Sequence, residues 1–278
     1  MMKKRLLFCI LGCLLLVFGM SACVSATVKQ SGQVIPYPDD YDPTSAGASS
    51  YAGSTNHPES KYFRHIDVYN LESNETLTVL PKFATYQQTT EYTCGPASAL
   101  MVLYHYANND WDELRIAEIM QTSKDLDGDN LETPGEANER GEWGTSTTGM
   151  VKFFTEIGWK VTSSLSEANP DDGYTFAEQA EFTEWVIDNL KHNIPIMVEW
   201  IDWLGHWQVI IGYDTMGTET LSDDVLIFAD PYDTSDHLQD GYYLFNAERF
   251  FYMWADAFIL PETQMYQQWV IATPQEKE

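Results

Sequence analysis

Apolar and polar positions change period about halfway along this chain. The run Ala97–Tyr106 is apolar on nearly all sides, which predicts a central, buried helix. In "WDELRIAEIM" (Trp111–Met120), Leu114, Ile116, Ala117 and Met120 recur on one face and predict a second helix. "TTGMVKFFTEIGW" starts a third, with Thr147 or Thr148 as its cap and Gly158 as its stop. "FAEQAEFTEWVIDNLKHN" gives a fourth, ended before Pro195. From there the period shortens. "IPIMVEWI", "HWQVIIGY" and "DVLIFAD" are short runs of β-branched and aromatic residues separated by turn formers. "GYYLF", "FIL" and "WVIA" extend the set, with "AERFFYMW" as a helix between them. Upstream, "FRHIDVYNL" and "ETLTVL" alternate apolar and polar and read as a hairpin about Glu72-Ser73-Asn74. Helices first and antiparallel strands afterwards indicate an α+β fold in two segregated layers.

The ends add an address. Lys3, Lys4 and Arg5 precede an apolar run from Leu6 to Phe18, followed by Met-Ser-Ala-Cys, so residues 1–22 read as an export signal. That ending resembles a lipobox, which implies cleavage before Cys23 and a lipid on its sulfur. The expected location is then the extracytoplasmic face of the cell membrane, with the lipid at Cys23 as the membrane contact. Residues 23–60 are rich in Ser, Thr, Gly, Pro and Tyr and read as a lipidated cysteine plus tether, part of which the tyrosines would let pack as a strap. Residues 61–278 suit one globular domain.

Charge narrows the partners. The net charge is −27, and losing residues 1–22 removes three cations and no acid. A surface of that sign repels nucleic acid, and no basic stripe is present. Cleavage would also remove Cys9 and Cys13, leaving Cys94 without a partner for a disulfide within the chain.

That lone thiol stands in "QQTTEYTCGPASAL". Proline two residues on is favoured in the first turn of a helix, so Cys94 sits at a helix N-terminus, where free amides and the dipole stabilise a thiolate. Gly95 leaves room for a substrate backbone. A buried helix-start residue is the equal alternative on local sequence alone. A thiolate nucleophile needs an imidazole. Of six histidines, His206 opens an apolar strand, "GHWQVIIGYD", from which a ring can reach a helix start. Asp230 ends the run "VLIFADPYD", where its carboxylate would accept Nδ1–H of His206. The Cys94 N–H and the Gln88 amide, with Gln87 as the competitor, are candidate oxyanion donors. Trp200, Trp203 and Trp207 either wall a groove or pack across strands.

These segments together resemble the C39-like group of papain-fold cysteine peptidases over roughly Ala84 to Leu260. The resemblance implies a papain-like fold, a peptide or protein substrate, Cys94 as nucleophile, His206 as base then acid, Asp230 as orienter and Gln88 as oxyanion donor. A P-loop of the kind found in exporter-fused members is missing from the sequence. An idle binding module and a thiol amidase or acyl transferase are the other functions this scaffold could carry. No cofactor is expected. In Lys124–Gly144, Asp125, Asp127, Asp129 and Glu136 fall at the spacing of a calcium loop. Asn130 stands where that loop needs glycine and Pro134 stiffens it, so a solvated acidic loop is the simpler account and no metal site is expected.

Overall fold

The computed structural model describes residues 32, 34–41, 47–122, 144–256 and 264–275. The segment 1–22, Cys23, the "FIL" run and Asp125, Asp127, Asp129 and Glu136 lie outside the described residues.

A single antiparallel sheet carries the C-terminal half. Its strands are β1 (Leu77–Val79), β2 (Trp159–Ser163), β3 (Ile196–Trp200), β4 (His206–Asp214), β5 (Val225–Ala229), β6 (Tyr242–Asn246) and β7 (Gln268–Pro274), in the order β2-β7-β3-β4-β5-β6, with β1 added onto β4. The helices are α1 (Cys94–His105), α2 (Glu113–Met120), α3 (Thr147–Glu156), α4 (Ser164–Glu167), α5 (Gln179–Lys191) and α6 (Ala247–Met253). Helices and antiparallel sheet make the expected α+β architecture.

Helix α1 is buried from Cys94 through Leu103, as a run without a polar face requires. It lies on β4, where the Ser98 hydroxyl donates to the carbonyl of Trp207 at 3.1 Å. Ser146, just ahead of the expected caps Thr147 and Thr148, starts α3 by accepting from the Gly149 N–H at 3.0 Å. Gly158 follows α3 with φ +78°, a conformation only glycine adopts freely.

Three expectations change. "FRHIDVYNL" does not pair with "ETLTVL": residues Val68–Asn70 form a 3-10 turn, and β1 pairs with β4, Leu77 opposite Asp214. Alternation marks one buried face without naming the partner strand. Strand β2 follows α3 directly and edges the sheet against β7, a strand that the helical pattern of the first half concealed. On α2, Leu114 is 51% exposed whereas Glu113 is buried.

Order also begins before Lys61. Residues 34–41 and 47–60 lie along the domain: the Ile35 N–H donates to the Thr85 carbonyl at 2.9 Å, and Ser49 N–H donates to that of Gln88 at 3.0 Å.

Candidate active site

Three elements converge at one end of the sheet. In an antiparallel pair the first residue of one strand lies beside the end of the next, so His206, opening β4, and Asp230, just after β5, occupy the same edge. The N-terminus of α1 reaches that edge because Ser98, one turn beyond Cys94, is bonded to the residue after His206.

Nε2–H of His206 donates to Asp230 Oδ1 at 2.7 Å, and the Tyr232 N–H supplies a second bond to that oxygen at 2.8 Å. Both side chains are buried. The Cys94 thiol lies near enough to the ring to help raise its pKa. Asp230 thus takes Nε2, not the Nδ1 expected from the sequence, and Nδ1 is the nitrogen left over. Sequence order carries no information about which edge of the ring faces which neighbour.

Burial by itself would lower the imidazole pKa, but the Asp230 charge and hydrogen bond, joined by Cys94, hold His206 well above its ordinary value. Burial likewise opposes ionisation of Asp230, and the His206 charge and hydrogen bond more than offset it, so this carboxyl sits below the usual range. The two shifts describe one buried ion pair. Asp202, in the turn before β4, is raised, mainly by burial, with His206 pulling the other way. That turn is strained: Trp203 and Leu204 have φ of 50° and 72°.

Cys94 is the free cysteine among the described residues and is 7% exposed. Room above Gly95 is occupied: a Cβ there would come within 2.6 Å of the Thr145 Cβ. The glycine therefore admits Thr145, where a substrate backbone was expected. Thr145 is held in turn, its carbonyl accepting from the Trp207 indole at 2.7 Å.

Gln87 and Gln88 separate cleanly. The Gln87 amide donates to the Asp230 carbonyl at 3.3 Å, which ties it to the strand end. Gln88 is buried, its backbone N–H bonded to the Pro231 carbonyl at 2.8 Å and its Nε2 donating to Thr90 O at 2.7 Å. One Nε2 proton remains uncommitted by that bond.

The tryptophans divide between the core and the turn before β4. Trp200 and Trp207 are core residues, and Trp203 alone is at the surface, 56% exposed, with its ring 5.1 Å from that of Tyr232. The other histidines bond elsewhere: His65 to Asp236 O, His105 to Asn193 O, His192 to Asp188 O and His237 to Ser60 Oγ, while His57 packs on His237.

Glu199 was missed. It lies in β3 opposite Trp207, fully buried, and burial, reinforced by Asp256 and by Cys94, pushes its carboxyl well above the ordinary range. A lone Glu in an apolar run was the available signal. Among the described residues no cluster of His, Cys, Asp and Glu could hold a metal ion.

Residues 81–256 match the family described as Peptidase_C39 like. The chain belongs to the C39-like peptidase family. Its mixed helix and antiparallel sheet, with the cysteine at the tip of a central helix, is the papain-like arrangement. Solved structures similar to this C39-like chain include the peptidase domain of Streptococcus ComA, described as a bi-functional ABC transporter involved in a quorum sensing pathway. It shares 18% identity at a TM-score of 0.41, covering 69% of this chain and 99% of that one. The peptidase domain of Streptococcus mutans ComA shares 15% identity at a TM-score of 0.32, covering 68% and 98%. No curated protein matches the C39-like chain.

Proposed function

We propose that this protein is a cysteine peptidase that hydrolyses peptide bonds through Cys94, His206 and Asp230 by way of a thioester acyl-enzyme. The observation that carries the reading is the buried relay from Asp230 through His206 to a thiol at a helix N-terminus.

The steps follow from that geometry. A proton held on His206 leaves Cys94 as thiolate, paired with imidazolium and facing the amides of the first helical turn. Sγ attacks the scissile carbonyl carbon, the C–S bond forms and the π pair moves to oxygen. The Cys94 N–H and the free Nε2 proton of Gln88 are the donors for that oxyanion. On collapse the C–N bond breaks, and His206 gives its proton to the leaving amine. Neutral His206 then takes a proton from water as the water oxygen adds to the thioester. The C–S bond breaks, and a carboxylic acid product and thiolate remain. Asp230 holds the ring through both proton transfers.

The substrate is a peptide or protein segment, and the acidic surface favours neutral or cationic ones. The export-signal pattern and Cys23 support anchoring by lipid at the outer face of the membrane. Mass spectrometry of the N-terminal peptide would find either a diacylglycerol on Cys23 or none.

The deciding experiment is cleavage of a mixture of quenched fluorescent peptides, with Cys94→Ala as control. Turnover lost in Cys94→Ala supports the peptidase. Exclusive ligation to added glycinamide would make it a transferase. No turnover, with alkylation that is slow below pH 8 and indifferent to His206→Ala, would leave a binding module.

A further inference from the structure

A buried carboxylate that the triad does not use lies beneath the stretch joining Gln88 to Cys94. Glu113 opens α2 and is 2% exposed. Its Oε1 accepts from the Thr89 N–H at 2.9 Å and from the Thr93 hydroxyl. Its Oε2 accepts from the Thr89 hydroxyl at 2.7 Å, the Thr89 N–H at 3.2 Å and the Tyr86 phenol at 3.0 Å. Thr89 follows Gln88, and Thr93 precedes Cys94. One carboxylate thus holds both ends of the stretch that separates the two oxyanion donors of the peptidase reading.

We infer that Glu113 is a positioning residue that sets the distance between the Gln88 amide and the Cys94 N–H. The inference rests on the function proposed above.

Two further observations separate this role from ordinary helix capping. The α2 N-terminus is already capped by Asp112, which accepts from the Arg115 N–H at 2.9 Å, so Glu113 directs its acceptors at the loop. Thr93 is the N-cap residue of α1, yet its side chain makes no capping bond. A threonine there normally bonds an amide of the first turn. With the Thr93 hydroxyl drawn to Glu113, that turn keeps its amides at the nucleophile free of a side-chain cap. Only a group with two oxygens and no proton can receive so many donors from one loop. Burial raises the Glu113 pKa, and the bonds from Thr93, Thr89 and Tyr86 pull it back.

The experiment compares Glu113→Gln, Thr93→Val and Thr93→Ser in the full chain. Three quantities are read: hydrolysis of the quenched peptide mixture, Cys94 alkylation by iodoacetamide, and the melting temperature. Alkylation needs the thiolate but creates no oxyanion, so it reports the ion pair without the donors. The expected result for Glu113→Gln is a kcat lower by about 10- to 100-fold with KM within about threefold. Alkylation stays within about threefold of wild type. Thr93→Val follows in the same direction, and Thr93→Ser, which keeps the hydroxyl, retains activity. Unchanged hydrolysis in Glu113→Gln and Thr93→Val overturns the inference. So does a fall in hydrolysis and alkylation together, in step with a lowered melting temperature, since that is loss of folding. A wild-type chain that hydrolyses nothing shows the failure of the peptidase reading itself, before any Glu113 variant is compared.

Discussion

His206 meets Asp230 through Nε2, at 2.7 Å, with Cys94 near enough to help raise the ring's pKa. The imidazole is therefore a bridge between a carboxylate and a sulfur, and removing either neighbour has a distinct consequence.

Asp230→Asn removes the charge that raises the His206 pKa. The variant should lose about 10²-fold or more in turnover, with the alkaline limb of the alkylation profile moved to lower pH. A profile that superimposes on wild type would show that Asp230 does not tune the ring.

The ion pair also links stability to pH. His206, raised in the fold, contributes stability that is complete below its unfolded value, about 6.5, and is lost as pH climbs through its folded value. Asp230, lowered in the fold, contributes above about 3.9 and loses that contribution as pH falls through its folded value. Denaturant melts of wild type and His206→Gln should differ most between those limits. A constant difference from pH 3 to pH 10 would contradict the linkage.

Glu199 works in the opposite sense to Asp230. Its carboxyl is raised by burial, Asp256 and Cys94, so the unfolded chain ionises first and stability falls as pH rises above about 4.5. Glu199→Gln cannot ionise and should gain stability relative to wild type as pH rises from 5 to 8. Equal urea midpoints for the two proteins across that range would refute it.

Gly95→Ala places a methyl 2.6 Å from the Thr145 Cβ. The expected cost is about 1–3 kcal/mol from overpacking. Adding Thr145→Gly should recover part of it, a coupling that a double-mutant cycle measures. Strict additivity would mean that the two positions do not press on one another.

Trp200 and Trp203 are three residues apart and should behave unlike one another. Trp200→Ala empties a core position beside Phe228 and Phe250, at about 3–5 kcal/mol. Trp203→Ala, at an exposed ring, should stay within about 1 kcal/mol. Similar losses at both sites would contradict the division between core and turn.

Much of this was legible beforehand because it is local. Proline after Cys-Gly places the cysteine at a helix start, an unbroken apolar run makes that helix central, and alternating β-branched residues make β3 to β5 strands. Each follows from backbone sterics and burial within a dozen residues. The partner of "ETLTVL" was misjudged because alternation specifies a face and is silent on the neighbour. Strand β2 was missed because its five residues after the Gly158 stop are too few to establish a period. Glu113 carried no signal in the sequence because its donors, Tyr86, Thr89 and Thr93, come from a different segment.

By itself the sequence determined which residue types stand at a helix tip, a strand mouth and a strand end, since proline, glycine and apolar period act over short range. Tertiary structure decided which ring nitrogen faces the carboxylate, that Thr145 fills the space over Gly95, and that Glu113 grips the loop before Cys94. Those outcomes depend on the directions of side chains brought together by sheet pairing and helix docking. Direction at a distance is a property of the packed chain, and no pattern of neighbouring residues contains it.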